Sequence, residues 1–148
     1  MNMKKNLVIN KYDILGNERY TNLEELKKYD DLEDLIIKNF EIKDEEIDTI
    51  NRFDNLKRIC FINCNFKIKN TTINDVPNIE LILCENINKK LLNYVTKELV
   101  IENCKGIEFD GFLNNKLEAV EISENLVREI KFFKQNNIKV KLTNNQKL

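Results

Sequence analysis

The side chains best equipped for chemistry in this chain are four cysteines, Cys60, Cys64, Cys84 and Cys104. Histidine is absent, which removes the commonest general base and the commonest metal ligand. Zinc would then need the cysteines as its ligands. No CxxC pair occurs, and Cys64, Cys84 and Cys104 stand 20 residues apart in sequence. If the chain coils with that period the three stack above one another. A metal or disulfide role is then open, but a buried ladder of reduced thiols is the expected one. Cys60 is expected to point outward as a small surface apolar residue, and of the four it is the candidate reactive thiol. The three glycines, Gly16, Gly106 and Gly111, form neither GxGxxG nor GxxxxGK[ST], so no phosphate loop is indicated. Glu45 and Glu46 fall on a predicted helix, as a solvated face. No nucleophile stands with a base, so the expectation is a protein that is not an enzyme and holds no metal or cofactor.

Composition narrows the partners. At 148 residues one domain, 1–148, is expected. The chain is 42% hydrophobic and 33% charged with a net charge of -1, which describes a folded soluble protein and gives no support to direct nucleic-acid binding. Charge is uneven along the chain: ten acids face six bases between Val76 and Ile130, while residues 131–148 hold five lysines and no acid. No apolar run reaches membrane-spanning length. The opening "MNMKKNLVINKYD" lacks the apolar core of a signal peptide, so a cytoplasmic location is expected.

The elements that must position these residues follow one spacing. In "LEAVEISEN" from Leu117, apolar side chains take positions 1, 4 and 6 and an asparagine takes position 9. "LEDLIIKNF" from Leu32 and "LKRICFINC" from Leu56 share that spacing, and "TKELVIENC" from Thr96 and "NIKVKLTNN" from Asn137 share it with a polar first position. A gap of 40 residues between 56 and 96 must hold another copy. "VPNIELILC" from Val76 fills it and puts Cys64, Cys84 and Cys104 in one column. A register from Ile79 would leave only 17 residues for a unit, so the Val76 register is preferred. Positions 4 and 6 lie on one face of a short strand, because side chains alternate. One such strand cannot bury its apolar face alone, and neighbours must stack.

On these motifs the chain resembles the leucine-rich repeat family. Phe40 and Tyr12 depart from it, standing where asparagine or cysteine belongs. The resemblance implies an α/β solenoid with a curved parallel sheet on the concave face and short helices or turns on the convex face. Residues 1–31 would form an N-terminal cap and degenerate first repeat, 32–136 about five repeats, and 137–148 a C-terminal strand or cap. The connections suit the returning side. "DEEIDTINRF" opens with Asp44 as a helix cap and spaces Ile47, Ile50 and Phe53 by three. "TNLEELKKY" offers Thr21 and Glu24 as a capping box. "ENLVREIKFFKQNN" spaces Leu126, Ile130 and Phe133 for a helix ending at asparagines. "KKLLNYV" and "GFLNN" read as shorter turns.

Positions 3, 5, 7 and 8 are then left to face outward. Val8, Ile36, Cys60, Ile62, Ile82, Leu83 and Val100 form a contiguous apolar patch there, and such patches mark contact surfaces. Glu98, Glu102, Glu118, Glu121 and Glu124, joined by Glu80, add an acidic flank, opposite Lys38, Lys57 and Arg58. Asn39, Asn63, Asn103 and Asn144 fall at position 8, where their amides can form a structural ladder. The expected function is therefore non-catalytic protein–protein interaction. Ile36, Cys60, Ile62, Ile82 and Val100 would form the contact centre, and Glu98, Glu102, Glu121 and Glu124 would steer a partner with a basic surface. The alternative is an acidic-faced inhibitor, an immunity or anti-defence protein, whose carboxylates block a nucleic-acid-acting enzyme.

Overall fold

A computed structural model describes residues 4–74, 76–87, 91–92, 97–107 and 117–143. Its main feature is a seven-stranded sheet built from β1 (Asn6–Asn10), β2 (Asp34–Lys38), β4 (Arg58–Ile62), β6 (Asn78–Ile82), β7 (Glu98–Glu102), β8 (Ala119–Ile122) and β9 (Lys139–Leu142), neighbours in that order. All six pairings are parallel. Two further strands, β3 (Glu41–Lys43) and β5 (Asn65–Lys67), pair parallel in a second, two-stranded sheet. Single bridges carry that short sheet on from Asn65 to Glu85 and from Glu85 to Lys105. The architecture is α/β, with a large parallel sheet and few helices.

Register follows the 4-and-6 rule. Leu35, Ile59, Ile79, Leu99 and Val120 are successive partners across five strands, and all are buried. Two residues on, Ile37, Phe61, Leu81, Ile101 and Ile122 form a second buried row. Ile79 and Leu81 thus occupy the places that the Val76 reading assigns them.

The connections return over this buried side. A 3₁₀ helix (Leu23–Lys28), α1 (Asp44–Ile50) and α2 (Val127–Gln135) contribute Leu23, Leu26, Ile47, Ile50 and Phe133 to the same core. Their caps differ in detail from expectation. Asn22, not Thr21, closes the 3₁₀ helix by accepting from the Glu24 N–H at 2.9 Å. Glu46 closes α1, accepting from the Lys43 N–H at 2.9 Å. It is therefore buried at its helix end, while Glu45 is the solvated one. Asp44 does not cap α1. It reaches a neighbouring segment and accepts from the N–H groups of Lys69, Asn70 and Thr71 and from the Thr71 hydroxyl at 2.8 Å. An asparagine stop ends α2 as expected: Asn137 has φ 61° and Ile138 N–H reaches back to the Phe133 carbonyl at 3.0 Å. Of the two short turns expected, Leu91 and Leu92 are buried in a turn, and "GFLNN" lies outside the described residues.

Each strand must stop and turn, and position 8 is where it does. Asn39, Asn63 and Asn103 have φ of 68°, 53° and 51°, in the left-handed region that asparagine tolerates better than other side chains bearing a Cβ. Their amides also bond along the stack. Asn63 Nδ2 donates to Asn39 Oδ1 at 2.8 Å, and Asn39 Nδ2 donates to Asn10 Oδ1 at 2.9 Å. Leu83 interrupts the series with φ 55°. Asn144 lies outside the described residues.

Candidate functional site

The cysteine column is buried where the chain turns inward. Cys64 Sγ donates to the Ile37 carbonyl at 3.6 Å, Cys84 Sγ to Phe61 at 3.3 Å and Cys104 Sγ to Leu81 at 3.2 Å. Each thiol thereby satisfies the carbonyl at position 6 of the preceding strand. Ser123 continues the series, its hydroxyl lying 3.5 Å from the Ile101 carbonyl. The thiols also act on one another. The Cys84 thiol lowers Cys64. At Cys84 the Cys104 thiol lowers the value, but the Cys64 thiol and burial override it and push Cys84 up to about 12. The Cys84 thiol, then burial, raise Cys104. The four cysteines are free thiols, and no group of three or more metal-ligating side chains gathers among the described residues.

Cys60 corrects an expectation. Its side chain belongs to the outward row, but it is only 2% exposed. Its register partners are Ile36 and Glu80, and Arg58, two residues before it, ties the strands on either side together. Burial first, then the nearby Glu80 charge, push the thiol up to about 11. It is not a surface residue, and burial together with the raised pKa disfavours the reactive thiolate.

The outward face is otherwise uncovered. Residues alternating with the buried rows are half-buried or exposed throughout: Asp34, Ile36 and Lys38 on β2, Arg58 and Ile62 on β4, Asn78, Glu80 and Ile82 on β6, Glu98, Val100 and Glu102 on β7, and Ala119 and Glu121 on β8. Ile36, Ile62, Ile82 and Val100 are all half-buried, which is the state of side chains packed on their neighbours but open to solvent above. Val8, on β1, is 57% exposed and extends the aliphatic surface to the sheet edge. Leu83, 51% exposed, sits past the end of β6 at the bend.

Charges on this face sort into two kinds. On the β2–β6 side the carboxylates are paired. Arg58 Nε donates to Glu80 Oε2 at 2.6 Å and a second guanidinium nitrogen to Glu80 Oε1 at 3.0 Å, while Arg58 also bonds Asp34 at 2.9 Å. Lys57, expected on the same basic edge, pairs with Glu33 at 2.9 Å. Glu80 therefore does not join an open acidic row. On β7 and β8, by contrast, Glu98, Glu102 and Glu121 make no ion pair among the described residues. Glu121 faces Lys141 in register without forming an ion pair. Glu124 is a second correction. β8 ends at Ile122 because Ser123 turns inward, its N–H bonding the Ile101 carbonyl at 3.0 Å, so Glu124 lies in the following turn and not on the sheet face. Glu118 precedes the strand. The open carboxylates reduce to Glu98, Glu102 and Glu121.

These three surround Val100. Glu98 and Glu102 are two residues either side of it on β7, and Glu121 is its register partner on β8. Glu80, the partner on β6, completes the ring with its charge already taken by Arg58. Beside them is a hollow of about 280 Å³, lined by Glu98, Val100, Ala119, Glu121, Lys139 and Lys141 with Leu99 and Val120 of the buried row. Ala119 opens it: it is the single alanine of the chain, in a row where β7 and β9 carry Glu98 and Lys139. The sequence reading missed Ala119 as a shape determinant, although its uniqueness was visible.

A second exposed feature was also missed. Between β1 and the 3₁₀ helix the chain makes a tight hairpin, bridged at Tyr12 and Glu18. Asp13 Oδ1 accepts from the N–H groups of Leu15 and Asn17, both at 2.9 Å, and Gly16 supplies φ 85°. The hydrogen bond from Asn17, with that from Leu15, holds the Asp13 carboxyl below its usual range. The tip carries Ile14 and Leu15, 100% and 82% exposed. The signal was the D-x-x-G spacing of "YDILGN".

Compared with known proteins, the chain matches no family model, no curated protein and no solved structure. No helix among the described residues is long and apolar enough to cross a membrane.

Proposed function

We propose that this protein is a leucine-rich-repeat-like solenoid that binds another protein through its uncovered, concave sheet face, with no chemistry of its own. One observation carries the reading. An all-parallel sheet is normally covered on both faces, and here one face is buried while the other presents a row of half-buried aliphatic side chains to solvent. The asparagine ladder and stacked register hold that row in place before any partner arrives, so docking sacrifices little conformational freedom. Four buried free thiols suit a reducing compartment, which favours the cytoplasm. The reading as an inhibitor of a nucleic-acid-acting enzyme asks for an extended line of carboxylates. The open ones instead cluster around Val100, which favours a compact protein epitope.

The test is affinity capture from the source cells with the wild-type chain and with Ile36→Lys, Ile62→Lys and Ile82→Lys combined. These side chains lie on the uncovered face, so thermal melting should stay within a few degrees of wild type. A protein partner retained by the wild type and lost by the triple variant is the expected result. Equal recovery by both chains would overturn the assignment of the face.

A further inference from the structure

We infer that the partner carries an arginine that seats on Val100, its stem on the aliphatic floor and its guanidinium among Glu98, Glu102 and Glu121. This rests on the proposed use of the sheet face and adds the chemistry of the occupant. Charge complementarity is the argument. Several carboxylates elsewhere on the fold are ion-paired: Asp31 and Glu33 have Lys5, Glu33 also has Lys57, Glu41 has Lys43 and Lys67, and Asp34 and Glu80 share Arg58. The three around Val100 make no ion pair among the described residues, although Lys141 is the register neighbour of Glu121. Their placement brings them close. Register partners on adjacent strands stand about 5 Å apart and alternate residues on one strand about 7 Å apart. Three like charges at those spacings repel, and a cation supplied from outside removes that repulsion.

Position and shape favour arginine over other cations. Val100 is half-buried and apolar, Ile82 stands beside it in register with Glu102, and Ala119 leaves the neighbouring hollow open. A long aliphatic stem lies on such a floor while its charged end stays at the rim. The planar guanidinium offers five donors, enough for more than one carboxylate at once, where an ammonium is a single point of charge. Arg58 already shows that geometry on the same face, bridging Glu80 and Asp34. Lys139 and Lys141 are on the edge strand, two strands or about 10 Å from Val100, with Lys141 one strand from Glu121. Exposed and on flexible stems, they leave room for a cation on β7 and repel one placed over β9.

The probe is a short, fluorescently labelled amphipathic peptide of leucine and arginine. It is titrated into the full-length chain beside lysine-for-arginine and glutamate-for-arginine versions, and binding is followed by anisotropy. The arginine peptide should bind at least about tenfold more tightly than the glutamate peptide, with the lysine peptide between them. Glu98→Gln, Glu102→Gln and Glu121→Gln together should abolish that preference, because they keep shape and remove charge. Glu85→Gln with Glu124→Gln, exposed but off the face, should leave it intact. If arginine and glutamate peptides bind alike, or the off-face pair weakens binding as much as the on-face trio, the arginine seat is wrong while the face reading stands. If no peptide binds, or Ile62→Lys with Ile82→Lys leaves binding unchanged, the face reading falls with it.

Discussion

At the residue scale, Leu83 is the position where the fold is least at ease. It adopts φ 55° in a column where Asn39, Asn63 and Asn103 share that backbone, and a leucine in the left-handed region costs about 1 kcal/mol. Leu83→Asn should therefore stabilise the protein by roughly 1 kcal/mol, read as a higher midpoint in chemical denaturation. Its half-exposed side chain gives up little burial in exchange. Asn63→Ala should act in the opposite sense, losing both the conformational tolerance and the bond to Asn39. Cysteine chemistry belongs to this scale too. With its thiol at about 11 and its surface covered, Cys60 should stay unmodified by a thiol reagent at pH 8, reacting only on addition of denaturant. Prompt labelling of Cys60 in the native protein would contradict its burial.

Among elements, two polar side chains tie segments that the main chain leaves far apart. Arg58 on β4 bonds β2 and β6 together at the half-buried surface. Arg58→Ala leaves Glu80 and Asp34 facing each other's charge with no cation between them, and should destabilise by about 1 kcal/mol. Arg58→Lys, unable to hold both carboxylates in one plane, should recover only part. Asp44 ties α1 to residues 69–71 in the next return. The hydrogen bond from the Thr71 hydroxyl, with those from the three N–H groups, lowers its carboxyl below the ordinary value of 3.8. A lowered carboxyl contributes stability that is present above its unfolded value and lost as pH falls through the folded one. Asp44→Asn should therefore be less stable than wild type at neutral pH, and the gap should narrow as pH falls below about 3.8. A gap that stays constant with pH would assign the loss to packing and not to the charge.

For the whole molecule, cohesion comes from two buried apolar rows that run strand to strand. Truncation in the middle of those rows should hurt most. Leu81→Ala, wholly buried on β6, should cost about 3 kcal/mol, while Val140→Ala, half-buried on the edge strand β9, should cost under about 1 kcal/mol. Urea midpoints of the two variants measure the gradient. Equal losses would mean that the edge strand packs as tightly as the centre, against the half-buried and exposed state of its side chains.

The repeating spacing settled the strand faces, the register around Ile79 and the stacking of Cys64, Cys84 and Cys104, because alternation and a near-constant period are properties of the chain itself. It also marked the asparagine turns, since few other residues tolerate that backbone. What needed the tertiary structure was every question of which charge meets which. Arg58 and Glu80 are 22 residues apart and meet only once β4 and β6 pair in register. That meeting takes Glu80 out of the acidic row. Glu124 fell away because a single inward serine ends β8 one residue early. Side-chain direction is written in local pattern, but exposure and net charge at a point depend on neighbours that arrive from distant sequence. That is why the buried rows and the outward Glu98, Glu102 and Glu121 were legible in advance, and the loss of Glu80 and Glu124 from the acidic face was not.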